Sequence, residues 1–257
     1  QQLFVRNSHE VVLTEAGQLL LPHAHASIAA AESCVTLLQE LKHLLTGELN
    51  IGVTFSFSSI MAETMGAFRK QYPRVKLNVC YASMAELMER LQHHELDLVL
   101  AFKPTQPDEH VESQVLFRTR LAAVMSECHP MAHRKLISLK ELEPYSLALP
   151  AIGLQARHAF EKVINGCELS LKIKAEINNV NLLFKLIRQS TYITILAQSA
   201  VVGENGIKAV PIDSPLGYME GCIHTLRNGY TKHAAREFIR MLSTPATLWK
   251  DITLPNE

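Results

Sequence analysis

Gly47-Glu48-Leu49-Asn50-Ile51-Gly52-Val53-Thr54 alternates apolar residues with small or polar ones, the two-residue period of a strand. Phe55-Ser56-Phe57-Ser58-Ser59 follows as a turn that opens into a helix, and the helix closes on Phe68-Arg69-Lys70-Gln71-Tyr72-Pro73. A second alternating strand spans Val75–Tyr81, and a second helix covers 84–93. Glu95-Leu96-Asp97-Leu98-Val99-Leu100-Ala101-Phe102 reads as a third strand. Strand–helix–strand–helix–strand order predicts an α/β fold with a parallel sheet covered on both faces. Ligands of such sheets sit at the carboxyl ends of strands, against helix N-termini. A pocket is therefore expected near residues 54–59.

Upstream, 3–7 and 11–13 are short β-prone pieces flanking Ser8-His9-Glu10, consistent with a small hairpin or wing. Thr14 is a good helix N-cap, and Glu15 suits the positive end of a helix. The capping box is incomplete, because Gly17 stands where Glu or Gln would reciprocate. From Thr14 the chain is helical in character up to Thr46-Gly47, where glycine can take the left-handed end conformation. Pro22 is expected to kink or divide that helix. Beyond it, Ala24, Ile28, Ala31, Val35, Leu38 and Leu45 fall on four- and three-residue steps, with Lys42 interrupting the seam. The spacing is that of a coiled coil. An amphipathic helix packed on its own domain is the other reading; alanine at several seam positions favours a close partner helix.

The 257 residues suffice for one large domain or two modest ones with a real core. Hydrophobic residues make up 47% and charged residues 19%, an ordinary globular composition. Twenty-five basic and 25 acidic residues cancel, so this stretch carries no electrostatic footprint for DNA. The five cysteines (Cys34, Cys80, Cys128, Cys167 and Cys222) form no Cys-x-x-Cys pair and read as buried or inert thiols of a reducing cytosol. No apolar run reaches the ~18 residues of a membrane span, and no secretory leader is recognisable. The chain opens at Gln1-Gln2-Leu3-Phe4, in what reads as mid-element, so further sequence is expected upstream.

Downstream, 103–110 is a Pro- and charge-rich surface loop, and 121–126 a buried-type strand. Ser138 can cap a short helix at Leu139–Leu142. Residues 145–149 form a strand ending in a second candidate ligand-facing loop at Pro150-Ala151-Ile152-Gly153. A helix at 157–164, a strand at 173–177 and a helix at Val180–Arg188, reached through Asn178-Asn179, come next. A return strand at 221–226 and a helix at 232–242 complete the order.

Catalytic and metal chemistry find no constellation. Twelve histidines include His129/His133 and the pairs His23/His25 and His93/His94, yet no His-Glu-x-x-His or Cys/His array of zinc-site type occurs. His129-Pro130 reads as a turn. Gly-x-Ser-x-Gly, the phosphate loop and the dinucleotide loop are missing as well. Recognition remains, with no cofactor and no metal expected. Thr54, Ser56 and Phe57 sit where a strand turns into a helix, so free N–H groups and hydroxyls can hold a polar or anionic oxygen. Ser83 and Met84 occupy the equivalent turn one unit on, and Phe102 the end of the third strand. Pro150, Ala151, Ile152 and Asn178 are candidates across the cleft, while Ser56 or Ser58 could equally cap the following helix. Phe55, Phe57, Met84 and Phe102 suit a core as well as a pocket; if they face the cleft, the ligand has an apolar body. Lys103 or Arg157 could neutralise a carboxylate on it.

Five pieces in order carry a resemblance: Leu3-Phe4-x-Arg6 through Leu13-Thr14-Glu15-Ala16-Gly17-x-x-Leu20-Leu21-Pro22-x-Ala24; Gly47-Glu48-Leu49-x-Ile51-Gly52; Phe68-x-x-x-Tyr72-Pro73-x-Val75-x-Leu77; Leu91-x-x-x-Glu95-Leu96-Asp97; and His129-Pro130-Met131-Ala132. Together they resemble LysR-type transcriptional regulators over nearly the whole chain, without the helix-turn-helix that should precede Leu3.

The resemblance implies two Rossmann-like subdomains of periplasmic-binding-protein type II style behind a long linker helix. Residues 1–13 would be the remnant wing, 14–46 the dimerisation helix and 47–257 the effector-binding domain. Within it, subdomain I would take about 47–120 and 222–257, and subdomain II about 121–221. It further implies a small-molecule effector, a homodimer or homotetramer, DNA contact only through the missing N-terminal domain, and a cytoplasmic, membrane-free protein. Where the family usually has Gly-x-Gly, Ser190 and Tyr192 replace both glycines, and Tyr192 could project into the cleft or fill space at its hinge. A free solute receptor of the same fold is the rival reading, and an enzyme on an α/β scaffold the second.

Overall fold

The computed structural model describes residues 1–6, 10–40, 46–227 and 229–243. β1 (Phe4–Arg6) and β2 (Val11–Leu13) pair antiparallel as the expected hairpin. Thr14 caps α1 (Glu15–Glu40): its Oγ1 accepts from the Gly17 N–H at 3.1 Å and donates to the Gln2 carbonyl at 2.8 Å, which ties the hairpin to the helix. Pro22 lies inside α1, which continues past it undivided. The proline removes a single hydrogen bond, and the Gln18 carbonyl it orphans belongs to an exposed residue that water can reach.

The apolar seam of α1 is left uncovered. Ile28 is 60% exposed and Val35 56%, Ala31 is exposed and Ala24 half-buried. Leu38 falls within the helix, whereas Leu45 lies outside the described residues. A helix packed on its own domain would bury this stripe. Gly47 adopts φ +105°, the left-handed backbone expected of it.

The body is built on β3 (Gly47–Val53), α2 (Ser58–Gln71), β4 (Val75–Tyr81), α3 (Met84–Gln92) and β5 (Leu98–Phe102), with a 3-10 turn at Phe55–Phe57. β3 runs parallel to both β4 and β5, as the alternation predicts. The period of two then sorts side chains to opposite layers. Leu98, Leu100 and Phe102 join the large core, which holds Phe68 of α2. Val99 and Ala101 point the other way, onto Leu87 and Leu91 of α3. Each such fully buried side chain stabilises the fold by about 1.5–3 kcal/mol. Asp97 accepts from the Asn50 N–H at 2.8 Å and pairs with Lys232 at 2.9 Å, which locks the start of β5 to β3 and gives Glu95-Leu96-Asp97 its physical role.

β6 (Val111–Ser126) is long enough to serve two neighbourhoods. After it come β7 (Ser146–Pro150), α4 (Gln155–Ile164), β8 (Lys172–Ile177), α5 (Val180–Arg188), β9 (Thr194–Ala197), β10 (Ile207–Pro211), β11 (Tyr218–Leu226) and α6 (His233–Ser243). The first part of β6 pairs with β11, and its last part with β9 and β10. β7 and β8 are parallel, and a Leu147–Ile193 bridge leads from them towards β9. The main sheet order is β10-β6-β11-β5-β3-β4. It is mixed rather than all parallel, since β11 returns antiparallel to β5. The chain thus passes between two halves twice, along β6 and β11. Gly221 sits at the second passage because a Cβ there would lie 2.4 Å from the Phe117 ring. α6 closes the first half: Phe238 meets Phe68 edge-on with centroids 5.2 Å apart, and Glu237 accepts from the Tyr72 hydroxyl at 2.7 Å. Among the described residues no helix is long and apolar enough to cross a membrane.

Candidate functional site

The turn after β3 is a contact between the halves rather than an open pocket. Ser59 Oγ donates to the Val202 carbonyl at 2.6 Å, and Phe55 meets Phe184 of α5 edge-on, with centroids 5.7 Å apart. Thr54 Oγ1 donates to the Leu100 carbonyl at 3.3 Å, and Ser58 Oγ to the Phe55 carbonyl at 2.6 Å. Ser56 is half-buried, and its hydroxyl has no partner among the described residues. The side chain of Phe57 is not on the cleft: fully buried, it packs on Phe102 at 5.4 Å and Phe117 at 5.3 Å. Phe102 itself is 3% exposed, so its ring too belongs to this aromatic cluster while its backbone meets the cleft. Alternation in Phe55-Ser56-Phe57 cannot say which side of a 3-10 turn faces the core. The hydroxyls of Thr194 and Ser199 are buried without a hydrogen-bond partner among the described residues.

The other expected contacts divide. Ser83 caps α3, its Oγ accepting from the Glu86 N–H at 3.3 Å, and Met84 reaches the cleft. Pro150 is buried, and its carbonyl accepts from Arg157 Nη1 at 3.3 Å. Ala151 is half-buried and donates its N–H to the Ile177 carbonyl at 3.0 Å. Ile152 is 70% exposed and Asn178 is also exposed. The neighbouring Asn179 does the local work, accepting from the Leu182 N–H at 3.0 Å to cap α5.

Sequence reasoning missed Gln155, in the first turn of α4. Its Oε1 accepts from the Phe102 N–H at 3.0 Å, while its Nε2 donates to the Phe102 carbonyl at 2.8 Å and lies against Met84 Sδ. A carboxamide of the second half therefore pairs with both backbone polar groups of Phe102 in the first. β3 ends at Val53, which leaves the last rung of β5 open, and Gln155 fills it. A Gln among polar first-turn residues carries no sequence signal for this.

Beside Gln155 opens a cavity of about 1640 Å³, larger than a typical small-ligand site. Its walls come from the α3 start (Met84), the end of β5 (Phe102) and the residue after it (Lys103), the two passing strands (Arg118, Glu220) and α4 (Lys162). Lys103 Nζ lies 2.9 Å from Glu220, and this pairing raises the lysine pKa and lowers that of the carboxylate. Arg157 is not free to meet a ligand. It is buried and bound to Glu161 at 2.9 Å and Glu176 at 2.6 Å.

Tyr192 is half-buried and packs on the core, so it fills space rather than projecting. Ser190, in the other family-glycine position, accepts from the Tyr192 N–H at 3.3 Å. His129 forms the expected turn, its Nδ1 accepting from the Met131 N–H at 3.2 Å; burial lowers its pKa. Of the thiols read as buried or inert, Cys34, Cys128 and Cys167 are exposed and Cys80 is half-buried, so burial holds for Cys222 alone. Cys222 is buried, which pushes its pKa up to about 11.

Comparison with known proteins accounts for this architecture. The LysR substrate binding domain family model matches residues 42–245. The HTH-type transcriptional activator CmpR of Synechocystis is 24% identical over 210 residues, covering 81% of this chain and 69% of CmpR. The chain spans about two thirds of the length of the curated relatives it matches. Among solved structures, the CcmR regulatory domain of Synechocystis PCC6803, in complex with 2-PG, superposes with TM-score 0.70 at 18% identity, covering 81% of this chain and all of that one. The effector binding domain of QuiR in complex with shikimate gives TM-score 0.67 at 17% identity with the same coverage. The two halves, their double connection and the match over 42–245 agree: the chain belongs to the LysR substrate binding domain family, that of LysR-type transcriptional regulators.

Proposed function

We propose that this chain is the regulatory part of a bacterial LysR-type regulator, one that binds a small effector between its halves and transmits the change through α1. One observation carries the reading: the halves, connected by β6 and β11, close by side-chain contacts around a solvent-open cavity. Such a joint has more than one closure angle within reach. An effector that prefers one angle shifts the population and, with it, the arrangement of subunits. The division near residues 120 and 221 belongs to this reading, as do the hairpin as a wing remnant, DNA contact through a preceding domain, the absence of catalysis and a cytoplasmic site of action. Shikimate in the QuiR domain and 2-PG in the CcmR domain support a small-molecule ligand here.

The exposed seam of α1 supports pairing with a second copy, in a homodimer or homotetramer. Of the expected effector contacts, Ser56 keeps an uncommitted hydroxyl and Met84 lines the cavity; Thr54, Ser83 and Ala151 act through backbone and caps. A thermal-shift screen of small metabolites tests the reading, since a ligand that binds the folded state stabilises it by mass action. Stabilisation by one chemical class, with a change in small-angle scattering, is expected. A broad screen in which no compound stabilises the chain would overturn it.

A further inference from the structure

The histidine pairs His23/His25 and His93/His94 lie far apart in the sequence, yet one member of each meets the other in the fold. The ring centroids of His25, on α1, and His93, at the end of α3, are 6.3 Å apart, with planes tilted by 46°. Residues 24–26 of α1 are half-buried, whereas Leu21, His23, Ser27 and Ile28 on either side are exposed, so a short stretch of α1 rests on the body here. His94 ends α3 at φ +60°, while the His93 N–H still donates to the Glu89 carbonyl at 3.0 Å, which keeps His93 on the last turn. The charged side chains of that turn and the residues after it are Glu89, Arg90, His94 and Glu95, with Arg90 paired to Glu95 at 2.9 Å. The segment before β6 adds Asp108, bonded to Gln92, and Glu109, 3.6 Å from His110. α1 adds the exposed His23. Among the described residues no group of three or more His, Cys, Asp or Glu is placed to hold a metal ion, which leaves the contact as one between two rings.

We infer that the His25–His93 contact is a proton-sensitive joint, which docks α1 on the body while the imidazoles are neutral and releases it when both are charged. Imidazole is the side chain whose charge changes between about pH 5 and 8. The first proton is tolerated, because His93 stands at the C-terminal end of α3, where the helix dipole favours a cation. The second sets like charges 6.3 Å apart, inside the screening length of about 8 Å at physiological salt. Between half-buried groups that repulsion disfavours the docked form by about tenfold. Of the carboxylates named above, Glu95 is taken up by Arg90 and Asp108 by Gln92, while Glu89 and Glu109 are exposed and screened by water. α3 begins at Met84 on the cavity wall, so the joint sits at the far end of one nine-residue helix from the cleft. A proton taken up there alters the seating of α1 with no ligand in the cleft.

The test is a spin-label distance measurement on the whole chain, with nitroxides at Cys34 of α1 and Cys167 of the body, both exposed, and serine at Cys80 and Cys128. Unlabelled chain in excess suppresses distances between copies. Near neutral pH this protein should give a narrow distribution. Roughly two units lower, the distribution should broaden as the docked-to-released ratio falls about tenfold. Adding His25→Gln and His93→Gln removes both protonation sites, and the distribution should stay narrow at either pH. Adding His25→Lys and His93→Lys instead supplies the two charges outright, and the distribution should be broad already at neutral pH. A distribution that acid leaves unchanged overturns the proposal. So does a glutamine variant that broadens in acid as much as its parent, or a lysine variant that stays narrow at neutral pH.

Discussion

Replacing Gln155 by alanine removes both hydrogen bonds that pair α4 with the Phe102 peptide, at 3.0 Å and 2.8 Å. A neutral hydrogen bond contributes about 0.5–1.5 kcal/mol net, so two together hold the closed arrangement by about 2 kcal/mol. That corresponds to about a thirtyfold change in the closed-to-open ratio. The structure names a reporter. Phe102 N–H has Gln155 as its acceptor, whereas the next amide, Lys103 N–H, donates to the Glu220 carbonyl at 2.8 Å within the first half. In hydrogen exchange, Gln155→Ala should speed the Phe102 amide by about that thirtyfold and leave Lys103 near its wild-type rate. Gln155→Glu should do less, because a carboxylate cannot donate to the Phe102 carbonyl but still accepts from the Phe102 N–H. A Phe102 amide that exchanges equally slowly in all three proteins would refute the claim that Gln155 joins the halves.

Other perturbations read other parts of the account. Gly221→Ala places a Cβ 2.4 Å from the Phe117 ring and should cost about 1–3 kcal/mol in urea unfolding; a neutral result would show that the second passage tolerates bulk. His224 is fully buried, its Nδ1 2.8 Å from Ser113 Oγ, and burial pushes its pKa from 6.5 down to about 4. The unfolded chain therefore binds the extra proton between those values, and stability should fall by about 3 kcal/mol as pH drops from 6.5 to 4. His224→Gln should flatten that slope, and an unchanged slope would assign it to other groups. Glutamates at Ile28 and Val35, both exposed on α1, should shift the chain towards monomer in sedimentation; an unchanged mass would remove the seam from the interface. His94 holds φ +60° at the end of α3, and His94→Gly should raise stability by up to about 1 kcal/mol, which a melting curve reads directly.

The elements whose burial follows from a simple period were legible before the structure. Leu98 to Phe102 alternate between two cores, Leu87 and Leu91 repeat one helical turn apart, and Thr14 caps the helix it precedes. The candidate site was legible only in outline. Phe57 was misplaced because a short 3-10 turn has neither of the two periods. Gln155 and Lys162 carry no motif, and their partners lie 53 and 57 residues away in sequence, so only the closure of the two halves reveals them. Ser59, not Ser56, makes the contact to Val202, a distinction of three residues within a serine-rich stretch.

The central claim is that a small molecule is held between the halves, beside Gln155. A crystal structure of the chain with the most stabilising compound from the metabolite screen tests it most directly. The account predicts that compound in the cavity between Met84 and α4. A compound seated elsewhere, with this cavity unchanged, would contradict it.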